Sequence, residues 1–560
     1  MSNSNINDTI GKCLLEACYR QEENQPAFVH VSSSLNNTGG IITYQQVRRV
    51  LYDCYFHWWR PQLIHTKNKR TMLAFLCDND ANVWLHYCTV WSSTHHRMVL
   101  LNTRWTPLEM AQALLSSTEQ YDEIVVYYNN KHNESKAQTC QVHLNQLSSS
   151  TMMKTTIISL PNYLDKANLS SSKGSQTNYP TISNTSCRNR DDAVILFTSG
   201  TSSNKPKGVR LSHASLYKQA MAKPWGNFHQ KYLLASSTPW FHIGGLSSAL
   251  SIFLQGGTFV FATTPNHHSS YNTILPHVNI LVLVPAMIHN ILSSLQNNNH
   301  EHQPYYYEHI QVILVGGSSL STKQRMKCRQ VFPNARIIQT YACTEAGSSM
   351  TFYDITHTIE GDSTKYGGGI PVGIPHVDLK INDNGVIATR GIHVMNGYWN
   401  STSLTKEDEW YDTNDLGHLD KETGMLYYCG RKDDVIRTGS ESVVAFEVEQ
   451  YLQSLLHNGT TVVVIPLPHD KYGQMICAVL QNDDNSTYNE KVVDELLPTQ
   501  FLQLKQQWKL LASYKFPKRI FRMNQFPRNS NGKILKRRII PIIQKYIQQQ
   551  HKHPIIKSKL

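Results

Sequence analysis

The sequence predicts an α/β protein: a large N-terminal domain of mostly parallel sheets covered by helices, followed by a small α+β C-terminal domain. Three observations carry this prediction. At 560 residues the chain is too long to fold round a single core. Four short apolar runs, Val194-Ile-Leu-Phe197, Leu281-Val-Leu-Val284, Val312-Ile-Leu-Val315 and Ile337-Ile338-Gln339, each lead into small or polar residues. Continuous apolar strands of this kind are expected where helices cover both faces of a sheet. Finally, the charged stretch Gly430-Arg-Lys-Asp-Asp434 separates strand-like Met425-Leu-Tyr-Tyr428 from a new folding unit.

Within the N-terminal domain, 1–430, residues 129–190 are rich in Ser, Asn, Thr and Gln and read as a partly disordered surface excursion. Shorter insertions of similar composition are expected at 296–303 and 481–488. The apolar run at 193–197 enters Thr198-Ser-Gly-Thr-Ser-Ser-Asn-Lys-Pro-Lys-Gly208. Such a loop suits polyphosphate: glycines admit the oxygens, amides and hydroxyls donate to them, and lysines neutralise charge. It is not the common nucleotide loop, because Lys205 is followed by Pro206 instead of Ser or Thr. The other three runs end in Pro285-Ala286, Gly316-Gly317-Ser318 and Thr340-Tyr-Ala-Cys-Thr-Glu345. Parallel sheets bind ligands at the carboxyl ends of their strands, so these loops are expected to form one composite site. Past the charged stretch, residues 445–456 carry Phe446, Leu452, Leu455 and Leu456 at helical spacing. Strands at 461–465 and 475–480 and a helix at 535–548 complete a C-terminal domain over 431–545, with a basic tail at 546–560.

Composition narrows the function classes. No apolar stretch approaches the roughly 18 to 20 residues of a membrane span, and the N-terminus lacks the layout of a secretory signal or transit peptide. Eleven scattered cysteines without a C-x-x-C pair point to reduced thiols, with no disulfide framework and no zinc site. The net charge of +12 is uneven, for residues 505–560 contain no Asp or Glu. That basic region suits an anionic partner such as coenzyme A, or is a solvated face. No nucleic-acid signature accompanies it. The last three residues, Ser558-Lys559-Leu560, match the address read by the peroxisomal import receptor, so a peroxisomal location is expected, and a cytoplasmic one otherwise.

Five motifs in order then resemble the adenylate-forming superfamily of acyl-CoA synthetases, luciferases and adenylation domains. They are the loop at 198–208, Tyr341-Ala-Cys-Thr-Glu345, Trp410-Tyr-Asp-Thr-Asn-Asp415, Gly430-Arg-Lys-Asp-Asp434 with Gly439, and Asn531-Gly-Lys533. The resemblance implies an AMP-forming ligase that uses ATP, Mg²⁺ and coenzyme A. It implies that Thr198, Ser199, Gly200, Thr201, Lys205, Lys207 and Gly208 hold phosphates, with Thr344 beside them and Glu345 on Mg²⁺. Gly316 and Gly317 are expected beneath the adenine, Tyr341 in the nucleotide site, and Asp415 and Arg431 at the ribose. Lys533 is expected to bridge the acid carboxylate and the α-phosphate, and His242 to gate the acyl carbonyl. Asp433 is the expected hinge about which a mobile C-terminal domain turns between the two half-reactions.

Within that family, Pro239-Trp-Phe-His-Ile-Gly-Gly-Leu-Ser-Ser248, Leu101-Asn-Thr-Arg-Trp-Thr106 and the segment 344–352 are similar to plant-type o-succinylbenzoate–CoA ligases. The expected acyl pocket is His242, Gly244, Gly245, Ser247, Ala342 and Ala346. Ser247, Ser248, Ser348 and Ser349 either bind the acid's second carboxylate or pack against helices. Another acyl-CoA ligase, 4-coumarate-like or fatty-acid type, stays open, as does an inactive nucleotide-binding relative. Departures from the family pattern bear on the latter: Ser203-Asn204 lengthens the loop, Asn414 and Ala342 stand where glycine is usual, and Ser440 and Ala445 replace Gly and Pro.

Overall fold

The computed structural model describes residues 10–31, 38–65, 70–92, 96–148, 153–164, 190–199, 206–227, 230–235, 237–262, 271–297, 306–357, 369–456, 460–482, 493–528 and 534–552. Among them the strands form three sheets, of thirteen, seven and six strands. In the largest, Pro26–Val31, Thr258–Ala262, Tyr232–Leu234, Ile280–Leu283, Val312–Val315 and Arg336–Cys343 lie side by side and parallel. An antiparallel arm continues it through Ser348–Asp354, Ile370–Pro375, Leu426–Arg431 and Tyr411–Leu419. In the second sheet, Lys154–Ser159, Glu123–Tyr128, Thr71–Leu76, Met98–Leu100 and Asp192–Ser199 are parallel. Pro206–Ser212 and Gly397–Tyr398 close it antiparallel.

The α/β class stands, and each large sheet pairs a parallel centre with an antiparallel arm. The difference lies in the connections. Parallel neighbours need a crossover, such as helix Pro285–Asn297 between Ile280–Leu283 and Val312–Val315. Arg336–Cys343 instead turns straight back through residues 344–347 into its antiparallel neighbour. The run at 192–199 also belongs to a different sheet from the other three, so loops of two sheets supply the predicted site residues.

One core cluster draws on both large sheets, with Phe28 and Phe259 from one and Phe75 and Leu196 from the other. Helix Ala81–Ser92 lies within it, buried along its whole length. Its residues are apolar nearly all round, the pattern of a helix with no solvent face. Trp84 meets Trp91, Trp240, Phe253 and Phe259 at centroid distances of 5.0–6.2 Å. Its polar residues are satisfied locally: Thr89 and Ser92 donate to Leu85 O and Cys88 O, both at 2.7 Å. Trp59 Nε1 donates to His86 Nδ1 at 3.0 Å, and burial pulls that imidazole down to about 4.

The expected excursion at 129–190 is in part folded. Residues Lys131–Leu147 form a helix capped by Asn130, whose side chain accepts from Asn133 N, and it buries Asn133, Ala137, Cys140 and Leu144. Lys154–Ser159 adds a strand to the second sheet. Residues 165–189 lie outside the described residues, as do 298–303 of the insertion predicted at 296–303 and 483–488 of that predicted at 481–488.

The third sheet begins with Val435–Thr438, and its two core clusters contain only residues from Ile436 onward. The predicted helix and strands are here: helix Ala445–Leu455, strands Thr460–His469 and Gly473–Asn482 paired antiparallel, and helix Lys536–Lys552. The basic region is not simply a solvated face. Lys515 pairs with Glu447, Arg519 with Glu495, and Lys536 with both Asp434 and Glu449. Among the described residues all cysteines are free, and no helix is long and apolar enough to cross a membrane.

Candidate functional site

Glu345 stands on a four-residue turn joining Arg336–Cys343 to Ser348–Asp354, closed by Gly347 N donating to Thr344 O at 2.9 Å. Gly347 has φ +67°, and a Cβ there would stand 2.5 Å from Ser215 Oγ and 2.6 Å from His393 O. Glycine lets this turn press against helix His213–Met221, which fixes it further. Ser215 Oγ donates to His393 O at 2.8 Å and Gln219 Nε2 to Ala346 O at 2.9 Å. These two residues are four apart, so one helix face packs against Gly347 through Ser215 and bonds the turn through Gln219.

Tyr398 donates its hydroxyl to Glu345 Oε1 at 3.1 Å and lies 3.3 Å from the Tyr411 hydroxyl. Burial raises the Glu345 carboxyl above the ordinary range, and the Tyr398 hydrogen bond opposes that rise. Lys207 Nζ sits 5.5 Å above the Tyr398 ring. A chain of contacts therefore joins the predicted phosphate-loop strand to Glu345. The sequence reading passed over both tyrosines, although Tyr398 follows a glycine in Asn396-Gly-Tyr-Trp399, a conspicuous turn with aromatics.

The strands that flank the predicted phosphate loop pair antiparallel: Thr198 is opposite Lys207 and Ser199 opposite Pro206. Gly200, Thr201 and Lys205 lie outside the described residues, as do Ser203 and Asn204. Gly208 is buried against Trp399, whose N–H donates to its carbonyl at 2.8 Å; a Cβ on Gly208 would stand 2.9 Å from Trp399 Cβ. Its missing side chain serves this packing.

Asp415 lies buried on Tyr411–Leu419, opposite Arg431 in register, with Arg431 Nε 3.4 Å from its Oδ1. Tyr341 donates its hydroxyl to Asp415 Oδ2 at 2.8 Å, so two residues expected at the nucleotide touch one another. Asn414 adopts φ +64°, the left-handed region that asparagine tolerates better than most residues. The unusual Asn414 thus keeps the bend that glycine would give. Ala342 is exposed, so its extra methyl crowds nothing in the protein. Gly316 follows Val312–Val315, and exposed Gly317 has φ +82°. Asp433 occupies an exposed single 3₁₀ turn, Lys432–Asp434. Lys533 lies outside the described residues.

His242 is the residue before helix Ile243–Leu254, partly buried, its ring edge-on to Phe241 at 4.6 Å. Behind it, a Cβ on Gly245 would collide with the carbonyls of Pro239 and Thr238, whereas one on Gly244 would meet nothing within 4 Å. The four serines do not share one fate. Ser247 Oγ and Ser348 Oγ share a hydrogen bond of 2.9 Å, and Lys223 Nζ donates to Ser348 Oγ and Ser349 Oγ at 3.0 Å each. Lys223 was missed by the sequence reading. It is 7 % exposed, and burial pulls its amine down to about 7.

A family profile described as AMP-binding enzyme matches residues 65–399. The 2-succinylbenzoate–CoA ligase, chloroplastic/peroxisomal, of Arabidopsis thaliana is 29% identical over 417 residues, 68% of this chain and 73% of that one. A 2-succinylbenzoate–CoA ligase of Listeria monocytogenes is 27% identical over 353 residues, 62% of this chain and 69% of that one. Among solved structures, the o-succinylbenzoate CoA synthetase of Bacillus subtilis with its acyl-adenylate superposes with a TM-score of 0.66. It is 21% identical, and the alignment covers 94% of this chain and 97% of that one. A Mycobacterium tuberculosis fatty acyl CoA synthetase superposes with a TM-score of 0.65 at 19% identity, covering 97% and 100%. At such identities the two structures speak for a shared fold.

Proposed function

Since the chain belongs to the family of AMP-binding enzymes, we propose that it is an AMP-forming acid–CoA ligase whose substrate is 2-succinylbenzoate. The observation that carries the first part is the contact chain Lys207–Tyr398–Glu345, which sets a cation and a carboxylate together at the end of the paired strands Asp192–Ser199 and Pro206–Ser212. The names of the relatives and the serine-lined lysine support the second part.

In this reading the acid carboxylate attacks the α-phosphate of ATP, pyrophosphate leaves, and the thiol of coenzyme A then displaces AMP. Two anions must meet in the first step, so the protein's work is positioning and charge neutralisation. Thr198, Ser199, Gly200, Thr201, Lys205 and Lys207 take the phosphates, with Thr344 beside them. Glu345, held by Tyr398, fits Mg²⁺, a hard cation that binds through one or two carboxylates plus substrate phosphates and screens their charge. Asp415, oriented by Tyr341 and Arg431, accepts the ribose hydroxyls, and the shelf of Gly316 and exposed Gly317 lies under the adenine. Lys533 bridges the acid and the α-phosphate. His242 and Gly244 border the acyl group, and the division at 431 with its hinge at Asp433 lets the C-terminal domain serve both steps. Peroxisomal import through a receptor that reads Ser558-Lys559-Leu560 belongs to the same reading.

The test is turnover with ATP, Mg²⁺ and coenzyme A across 2-succinylbenzoate, 4-coumarate and fatty acids, reading AMP, pyrophosphate and thioester mass. The proposal predicts all three products with 2-succinylbenzoate. Turnover confined to fatty acids contradicts the substrate, and no adenylate with any acid, in protein that binds ATP, contradicts the ligase.

A further inference from the structure

A lysine buried without an acid is costly, because its ammonium gives up water and gains no opposite charge. Lys223 is such a residue: its resolved contacts are the Ser348 and Ser349 hydroxyls and the face of the Phe352 ring at 5.7 Å. Among the described residues no carboxylate pairs with it. An ammonium carries three N–H donors, and the two serines take two of them. Nearby elements hold further unused capacity. Ser248 Oγ and Gln219 Oε1 are buried with no hydrogen-bond partner among the described residues. Ser248 follows Ser247 on helix Ile243–Leu254, and Gln219 lies in the last turn of helix His213–Met221, four residues before Lys223 in the chain. Buried polar groups left unpaired in this way call for a missing partner.

The position of this cluster says what that partner is. Ser348 is three residues past Glu345, and Ser247 is five residues past His242 along a helix. At about 1.5 Å per residue, Ser247 lies about 7.5 Å along that helix from His242, the span of a short aromatic diacid. Ser348 itself takes φ 152°, a backbone conformation that side-chain-bearing residues rarely adopt. We infer that Lys223, seated on Ser247, Ser348 and Ser349, is the specificity-determining cation of the acyl site and receives the second carboxylate of a diacid substrate. The carboxylate accepts the third N–H and supplies the charge the lysine lacks. This rests on the acid–CoA ligase reading and adds the residue that selects a diacid over a monoacid.

The experiment compares kcat/KM for 2-succinylbenzoate and for 4-oxo-4-phenylbutanoate, which lacks the ring carboxylate, in wild type, Lys223→Met and Lys223→Arg. Using the ratio of the two acids cancels any loss of folded enzyme. The expected wild-type preference for the diacid is at least about 100-fold, since a site built for a polar group rejects an analogue lacking it. It should fall below about tenfold in Lys223→Met and largely survive in Lys223→Arg. A preference kept in Lys223→Met overturns the inference and leaves the ligase reading intact. Turnover of neither acid by wild type removes the 2-succinylbenzoate reading and the inference with it. Should Lys223→Met not fold, wild type alone decides, with the ring carboxylate replaced by a carboxamide. Loss of the preference supports a cation at the site, and retention overturns it.

Discussion

Glu345 owes its position to a hydroxyl 53 residues away in sequence, on Tyr398. Hydrogen bonds to charged groups contribute about 1.5–3 kcal/mol. Tyr398→Phe should therefore raise the Mg²⁺ concentration for half-maximal adenylation about tenfold with little change in melting temperature. Titration of initial rate against Mg²⁺ checks this. Lys223 makes a pH prediction. Its folded value, about 7, lies below the ordinary 10.5, so the unfolded chain binds the proton more tightly. The full cost is present below pH 7, and stability rises as pH climbs from about 7 towards 10.5. His376 and Lys218 face the same region, and Lys223 also helps pull His376 down. Denaturant unfolding should show wild type gaining on Lys223→Met by on the order of 1–3 kcal/mol between pH 7 and 9.5. At this scale the sequence revealed residues whose motif names their chemistry, such as Glu345 and Asp415. It hid Tyr398 and Lys223, whose partners are set by folding across 53 and 125 positions.

Helix Ile243–Leu254 shows how two adjacent glycines divide their duties. Gly245 is pinned against the Pro239 and Thr238 carbonyls, which cannot move aside as a side chain would, while Gly244 faces open space. Gly245→Ala should cost at least about 2 kcal/mol, as backbone overpacking does, and appear as a lower melting temperature. Gly244→Ala should leave the melting temperature unchanged or higher, since alanine favours a helix, and raise KM for the acid. Equal losses of stability would contradict the division. Helix Lys131–Leu147 was legible in principle, for Asn133, Ala137, Cys140 and Leu144 repeat at helical spacing. That four-residue stripe is too narrow to change the composition of a Ser- and Asn-rich stretch. The pairing of Pro206–Ser212 with Asp192–Ser199 was not legible, because the loop's composition names its chemistry and not the strand that follows it.

Across the whole molecule, motif order along the chain announced the family. The antiparallel arm stayed hidden because it pairs strands distant in sequence, such as Ile370–Pro375 with Leu426–Arg431. The C-terminal unit meets the rest closely at Gly430, where a Cβ would lie 2.7 Å from Phe446 Cβ, and Phe446 packs edge-on to Tyr428 at 5.2 Å. If this unit turns about Asp433 between steps, Lys533→Ala should abolish adenylation and spare thioester formation from a supplied acyl-adenylate. Equal loss in both half-reactions would contradict the moving domain. The central claim, that the chain activates an acid by adenylation, is tested most directly with a substrate whose reacting carboxylate carries two ¹⁸O atoms. Adenylation predicts one ¹⁸O in the AMP and one in the thioester, read by mass spectrometry. Label appearing in inorganic phosphate, or thioester formed with unlabelled AMP, would contradict it.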